Sequence, residues 1–217
     1  MPAYKLHTQI DSVESELAEI GLNRSKLIDA VKRAGTARFL CTAHDRPGFE
    51  LITMNGKAIR EIRDEFVGED WEACEMDNQS GIINKRLRVR VIHCNFDENA
   101  GSSDPDIIPE NLRGKGTASG KKVRCNRTPC IPGLEPRLGE EPSSDIRTYV
   151  LGTYCDDESY SIRAELSLPN EFEKGIYTNY ETRIILMDGS EDSLLPYELA
   201  PQDNLPTEEI DIPVSRK

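Results

Sequence analysis

The chain has 217 residues, of which 37% are hydrophobic and 30% are charged, and its formal net charge is −12. This composition suits a soluble globular protein, and no run of about 18 apolar residues is present to form a membrane-spanning helix. The first residues contain no apolar signal core, so we expect a cytoplasmic protein. Its six cysteines are too few for a disulfide scaffold and are expected to be thiols or metal ligands.

Acidic and basic side chains are unevenly distributed along the chain. Residues 1–138 contain equal numbers of the two, whereas residues 139–217 contain 18 acidic and six basic side chains. The net negative charge therefore lies in the C-terminal part. A surface of this sign repels nucleic acid and anionic membranes and attracts basic proteins, so we expect a protein partner with a basic surface and no membrane association.

The periodicity of the apolar residues predicts helices first and strands later. The helix-like segments are residues 11–22, 27–35 and 57–66. The strand-like segments are residues 37–43, 49–54, 86–95, 147–155, 159–168 and 182–187. Two of these boundaries depend on glycine: Gly35 is interpreted as the stop of the second helix, and Asn55-Gly56 as a turn after a strand. Asp156-Asp157-Glu158 is interpreted as the turn of a hairpin.

These segments predict an α+β fold. An N-terminal helical hairpin and a third helix are expected to pack on a mainly antiparallel sheet, in a single domain over residues 1–189. Residues 97–142 are rich in proline and glycine and show no apolar period, so they are predicted as a long irregular loop inserted in that domain. Residues 190–217 are predicted as an extended, acidic, proline-containing tail.

Cysteine and histidine spacing gives a weak indication of a structural zinc site. Cys125-x4-Cys130 places two thiols close together in the sequence, and Cys41-x2-His44 offers two further ligands of the type that tetrahedral zinc prefers. The spacing is not that of the regular zinc-binding motifs. The alternative is that the cysteines on strands are small core residues and that Cys125 and Cys130 are loop thiols without a ligand.

Two segments could contact nucleic acid. A cluster of basic residues without intervening acids could bind phosphates, and its members are Arg113, Lys115, Lys121, Lys122, Arg124 and Arg127. Residues 17–27 resemble a degenerate helix-turn-helix, although a plain helical hairpin covering a sheet explains them as well. The glycines of residues 114–122 do not have the spacing of a phosphate-binding loop.

Enzymatic activity is the least supported class of function. No arrangement of serine, histidine and aspartate, nucleophile elbow or dinucleotide-binding glycine pattern is present in the sequence. A metal-assisted hydrolase remains a third alternative, with ligands among Cys41, His44, His93 and Cys125. The sequence favours a non-enzymatic interaction or regulatory protein that presents an acidic surface to a basic partner, within a nucleic-acid-handling assembly for example.

Overall fold

The computed structural model describes residues 4–68, 70–127 and 146–190. Within these ranges the helices are α1 (Ile10–Glu19), α2 (Arg24–Phe39), α3 (Phe49–Phe66) and α4 (Thr117–Arg127). The strands are β1 (Lys5–His7), β2 (Glu72–Met76), β3 (Gln79–Asn84), β4 (Val89–Asn95), β5 (Arg147–Cys155), β6 (Ile162–Glu173) and β7 (Ile176–Asp188).

The seven strands form one mixed sheet in the order β1-β7-β6-β5-β4-β3-β2. The pairs β1–β7 and β4–β5 are parallel, and the four other neighbouring pairs are antiparallel. The predicted α+β class with a mainly antiparallel sheet is therefore confirmed. Because β4 and β5 run in the same direction, their carboxyl ends meet at one edge of the sheet.

The sheet is covered on both faces. On one face α1, α2 and α3 pack against the strands through Leu17, Val31 and Ile62. On the other face the covering side chains are Val123 of α4 and Phe96, which follows β4. The strands β4 and β5 are buried along almost their whole length as a result. None of the described helices is long and apolar enough to cross a membrane.

The predicted N-terminal helical hairpin is present. The chain turns between α1 and α2 at Gly21, whose φ is 74°. The Asn23 side chain accepts the Lys26 amide at 3.2 Å and caps the first turn of α2. The indole of Trp71 donates to the Gly21 carbonyl at 3.0 Å, so the single tryptophan joins this turn to the edge of the sheet.

The predicted strand over residues 37–43 is wrong, because α2 does not stop at Gly35. An added Cβ at Gly35 would lie 2.0 Å from Ile162 Cδ1, so this glycine allows α2 to approach β6 closely. The helix continues as far as Phe39, which is buried. The glycine therefore reports close packing and not a helix end.

The predicted strand over residues 49–54 is also wrong, since α3 begins there and runs through the Asn55-Gly56 pair. The buried residues Met54, Ala58 and Ile62 lie four positions apart and form one face of the helix. This longer period outweighs the local turn signal. The predicted third helix, residues 57–66, is the second part of α3.

The acid-rich segment after α3 contains a hairpin that the sequence analysis does not predict. Strands β2 and β3 pair antiparallel around Asp77 and Asn78. These two residues have φ values of 54° and 58°, which a tight hairpin turn requires. Four of the five residues of β2, including Glu72 and Glu75, are exposed at the edge of the sheet, so the segment carries no clear apolar alternation.

Part of the predicted irregular loop is regular, because α4 lies within it. The Asn126 side chain donates to the carbonyls of Thr148 at 3.1 Å and Pro169 at 2.8 Å, and it accepts the Thr148 amide at 2.8 Å. These bonds attach α4 to β5 and β6. Two parts of the predicted loop and tail lie outside the described residues, namely 128–145 and 191–217.

A buried ion pair attaches the segment after β4 to the sheet. Arg183 on β7 and Glu165 on β6 are both fully buried, with Nη2 2.6 Å from Oε2. The Glu165 carboxylate also accepts the Gly101 amide at 2.9 Å, and Arg183 donates to the Ile107 carbonyl at 2.7 Å. Both ends of the pair therefore bind backbone groups of the same loop, which is held against the sheet face that α4 also covers.

Candidate functional site

A cleft lies at the edge where the parallel strands β4 and β5 end. It has a volume of about 470 Å³. The carboxyl ends of parallel strands are a frequent place for binding sites, because the chain departs from them in different directions and leaves a crevice. The lining residues come from α2, α3, the two strand ends and the loop after β5, and they are Arg38, Leu51, Asn95, Phe96, Leu112, Thr153, Tyr154, Cys155, Asp156, Asp157 and Glu158.

One wall of the cleft is an ion pair between α2 and the loop after β5. The guanidinium of Arg38 binds both oxygens of the Asp157 carboxylate, with Nη2 2.9 Å from Oδ2. Arg38 is 7% exposed, whereas Asp157 is 72% exposed. The pKa of Arg38 is raised: burial is the largest single effect and opposes the charge, but the hydrogen bond to Asp157 and the nearby negative charges, including Glu50, together outweigh burial. Arg38 is therefore a fixed cation whose charge is already paired.

The acidic turn, Asp156-Asp157-Glu158, forms the rim of the cleft. Asp156 shapes it, since its carboxylate accepts the Glu158 amide at 2.9 Å and the Ser159 hydroxyl at 2.8 Å. These hydrogen bonds, that of Ser159 first, lower the pKa of Asp156. Both donors are neutral, so the turn keeps its negative charge while its conformation is fixed. Asp157 and Glu158 are exposed.

The floor beside Thr153 is built around a buried histidine. His93 is 5% exposed, its Nδ1 lies 3.0 Å from Asn55 Nδ2, and its Nε2 lies 2.9 Å from Thr153 Oγ1. Burial, with a smaller contribution from the nearby Lys115 charge, lowers the pKa of His93 to about 3. The imidazole is neutral near pH 7, accepts from Asn55 and donates to Thr153. Its contacts join α3 to β4 and β5.

The cleft concentrates negative charge at its rim and offers little for covalent chemistry. The Cys155 thiol lines the cleft, but burial raises its pKa to about 12, so it stays protonated and unreactive near neutral pH. His93 has both ring nitrogens engaged by Asn55 and Thr153, and its pKa of about 3 makes it a weak general base. Among the described residues, no three or more side chains of histidine, cysteine, aspartate or glutamate converge to hold a metal ion.

The structure separates the predicted zinc ligands that it describes. Cys41 and His44 follow α2 on the face covered by the three N-terminal helices, whereas Cys125 lies on α4, which covers the opposite face. Cys41 is half-buried beside Thr53, and His44 is exposed. Cys130 lies outside the described residues, so zinc binding by the Cys125 and Cys130 pair stays a prediction.

The predicted basic cluster is divided among different environments. Arg113 packs against Gly48 before α3, and Lys115 contacts the Cys94 thiol. Lys122 is directed into the fold, where it binds the Gln79 side-chain oxygen and lies 3.4 Å from Asp77. Lys121 and Arg124 are exposed on α4, and Arg127 ends this helix.

The basic residues of the predicted helix-turn-helix are engaged within the protein. Arg24 donates to the Leu186 carbonyl at 3.0 Å, and Lys26 donates to the Glu65 carbonyl at 3.0 Å. Arg33 binds the carboxylates of Glu61 and Glu65, each at 2.6 Å. The hairpin lies on the sheet and uses these cations for contacts with α3 and β7.

Sequence reasoning identified the acidic turn as a hairpin but missed the rest of the cleft. Arg38 lies in a segment that was predicted as a strand. The buried face of α2 continues through Arg38 to Phe39, and this helical period is the sequence feature that would have placed Arg38 at the end of a helix. Asn95 and Thr153 become visible as site residues only when β4 and β5 are known to be parallel neighbours.

Comparison with family models, with curated proteins and with solved structures gave no match, so the site is interpreted from its geometry and charge alone.

Proposed function

We propose that this protein is a non-catalytic interaction protein of the cytoplasm that binds a basic segment of a protein partner at the acidic cleft. The observation that carries the proposal is the acidic turn on the rim of the cleft. Three consecutive carboxylates stand there, and among the described residues that line the cleft Arg38 is the only basic one. Its charge is already matched by Asp157, which leaves Asp156 and Glu158 as additional negative charge.

The cleft is suited to a long basic side chain. A volume of about 470 Å³ accommodates the methylene stem of a lysine or arginine, and apolar surface from Leu51 and Leu112 is present to pack against it. The charged head would lie among the rim carboxylates. A charged group keeps water contacts at such a rim, so binding does not need full desolvation of the charge.

The C-terminal residues carry a surplus of negative charge, as the rim of the cleft does. Residues 191–217 contain seven acidic and two basic side chains, and they follow β7 in the sequence. Surplus negative charge on one side of a protein accelerates encounters with basic partners and makes them sensitive to salt.

A fluorescence anisotropy titration tests this function. The probe is a labelled peptide of alternating lysine and glycine, and the protein is the full chain at low salt. We expect Asp156→Asn/Glu158→Gln to weaken binding at least about tenfold, because two charge contacts are lost. Glu14→Gln/Glu19→Gln on α1 removes the same charge from exposed positions outside the cleft and should change affinity little. Equal losses in the two variants would contradict a local site.

Nucleic-acid binding through α4 is a second candidate, favoured by the exposed Lys121 and Arg124. They lie three positions apart on the helix, while Val123 and Asn126 are buried against the sheet. A gel shift with a single-stranded oligonucleotide at low salt separates the two functions. A shift that disappears in Lys121→Gln/Arg124→Gln would favour this candidate over the acidic cleft.

A further inference from the structure

A second surface feature, separate from the acidic cleft, is an apolar groove between α2 and α3. It has a volume of about 630 Å³ and is lined by the end of α2 and the first half of α3. Three large apolar side chains stand in it partly exposed: Leu40 at 44%, Phe49 at 38% and Ile52 at 45%. Isolated apolar residues on a surface are ordinary, but three in one concave patch are typical of a binding surface.

The border of the groove carries positive charge on the α3 side. Lys57 and Arg60 line it there, one helical turn apart, and Asp45 lies among the residues before α3. Arg60 is only loosely paired, since its Nε is 3.5 Å from Asp64 and both side chains are well exposed. A segment that combines apolar side chains with an acidic one would therefore complement the groove.

The chain itself provides such a segment close to the point where the described residues end. β7 ends beside the start of β6, as the pairing of Asp188 with Arg163 shows. The start of β6 in turn packs on α2, where Ile162 lies against Gly35. The chain thus leaves β7 at the edge of the sheet to which the C-terminal part of α2 is attached.

The residues that follow Ser190 match the groove in chemistry and in reach. Their sequence is Glu191-Asp192-Ser193-Leu194-Leu195-Pro196-Tyr197-Glu198-Leu199. At roughly 3.3 Å per extended residue, position 194 lies within about 13 Å of Ser190 and position 199 within about 30 Å. Because the axes of packed helices lie about 8–10 Å apart, a chain of this reach is long enough to cross α2 to its neighbour α3.

We infer that residues 194–199 occupy the apolar groove of their own chain. Leu194, Leu195 and Leu199 cover the exposed apolar side chains, and Glu198 lies near Lys57 and Arg60. Because the segment is tethered by a few residues, its effective concentration at the groove is in the millimolar range, and even a weak contact is mostly formed. The inference does not depend on the function proposed for the acidic cleft.

Cys41 provides a direct probe, because it lines the groove and is half-buried. The full chain is pulsed with N-ethylmaleimide, and the labelling rate of each cysteine is measured by peptide mass spectrometry. Replacing Leu194, Leu195 and Leu199 together by serine should accelerate labelling of Cys41 by about tenfold, the factor expected when a mostly formed contact is lost. Cys125 on α4 serves as the internal reference and should not change.

The matched control replaces three other apolar residues of the same C-terminal part, Ile210, Ile212 and Val214, by serine. This variant should label Cys41 at the rate of the unmodified chain. Equal Cys41 rates in all three proteins would overturn the inference. A Cys41 protection that grows with protein concentration would also overturn it, because the segment would then come from a second copy.

Discussion

Two arginine–carboxylate pairs of this protein have the same chemistry and opposite surroundings. In the Arg183–Glu165 pair both partners are fully buried between the sheet and the loop after β4. In the Arg38–Asp157 pair the arginine is buried, but the carboxylate is 72% exposed at the rim of the cleft. The first pair is closed within the fold, whereas the second presents one of its charges to solvent. Exposure of the carboxylate, and not the presence of an ion pair, therefore decides whether the charge stays accessible at the surface.

Breaking the buried pair gives the largest expected effect. Arg183→Met leaves the Glu165 carboxylate buried without its counter-charge, so we expect the free energy of unfolding to fall by about 3–5 kcal/mol in urea titrations. Arg147→Met removes an exposed pair with Glu181 on the same sheet and should cost less than about 1 kcal/mol. Similar losses in the two variants would remove the distinction between buried and exposed pairs.

The next effect concerns the buried imidazole that supports the cleft floor. The pKa of His93 is about 3 in the folded protein, below its usual value near 6.5 in the unfolded chain. Between these pH values the unfolded state binds more protons, so stability decreases as the pH falls through this window. The loss from about pH 7 to about pH 5 should be about 2 kcal/mol for this group.

Urea titrations at several pH values measure that loss. His93→Gln lowers stability at every pH but should remove this part of the pH dependence. His44→Gln, at an exposed position, should retain it. If the slope of stability against pH is the same in His93→Gln as in the unmodified chain, protonation of His93 is not the cause of the pH dependence.

The smallest effect on stability, and the sharpest contrast with Arg183, is expected at the rim. Asp157→Asn keeps the shape of the side chain and removes its charge. Arg38 is buried and loses its counter-charge, but the site opens to solvent and the substituted amide oxygen still accepts a hydrogen bond, so stability should fall by only about 1 kcal/mol. The affinity for the lysine–glycine peptide should fall roughly fivefold, since Arg38 then contributes an unpaired positive charge. A large loss of stability with unchanged affinity would assign this pair a purely structural role.

More of the helices and strands could be predicted from the sequence than of the residues that form the acidic cleft. The N-terminal hairpin and the strands after residue 146 follow from local periodicity, which is strong where one face is buried. The boundaries predicted at Gly35 and at Asn55-Gly56 are wrong because packing outweighs the local preference for a turn. Gly35 packs against β6, and Asn55-Gly56 lies within α3, whose buried face continues on both sides of the pair. Such tertiary contacts cannot be deduced from the local sequence.

The site itself depends on contacts between distant positions. Arg38 and Asp157 are 119 residues apart in the sequence, and His93 and Thr153 are 60 apart. The charge pattern also behaved differently in its two parts. The basic cluster of residues 113–127 is divided between contacts with other elements and the exposed face of α4, whereas the short acidic turn stays together at one rim. A run of like charge in a sequence therefore does not define a charged surface until the fold is known.

The most direct test of the acidic cleft is an NMR titration of the ¹⁵N-labelled full chain with the lysine–glycine peptide. The account predicts that the largest amide shift changes lie in residues 153–160 and at Arg38 and Asn95. Shift changes centred on α4, or changes that leave residues 153–160 unaffected at saturation, would contradict it.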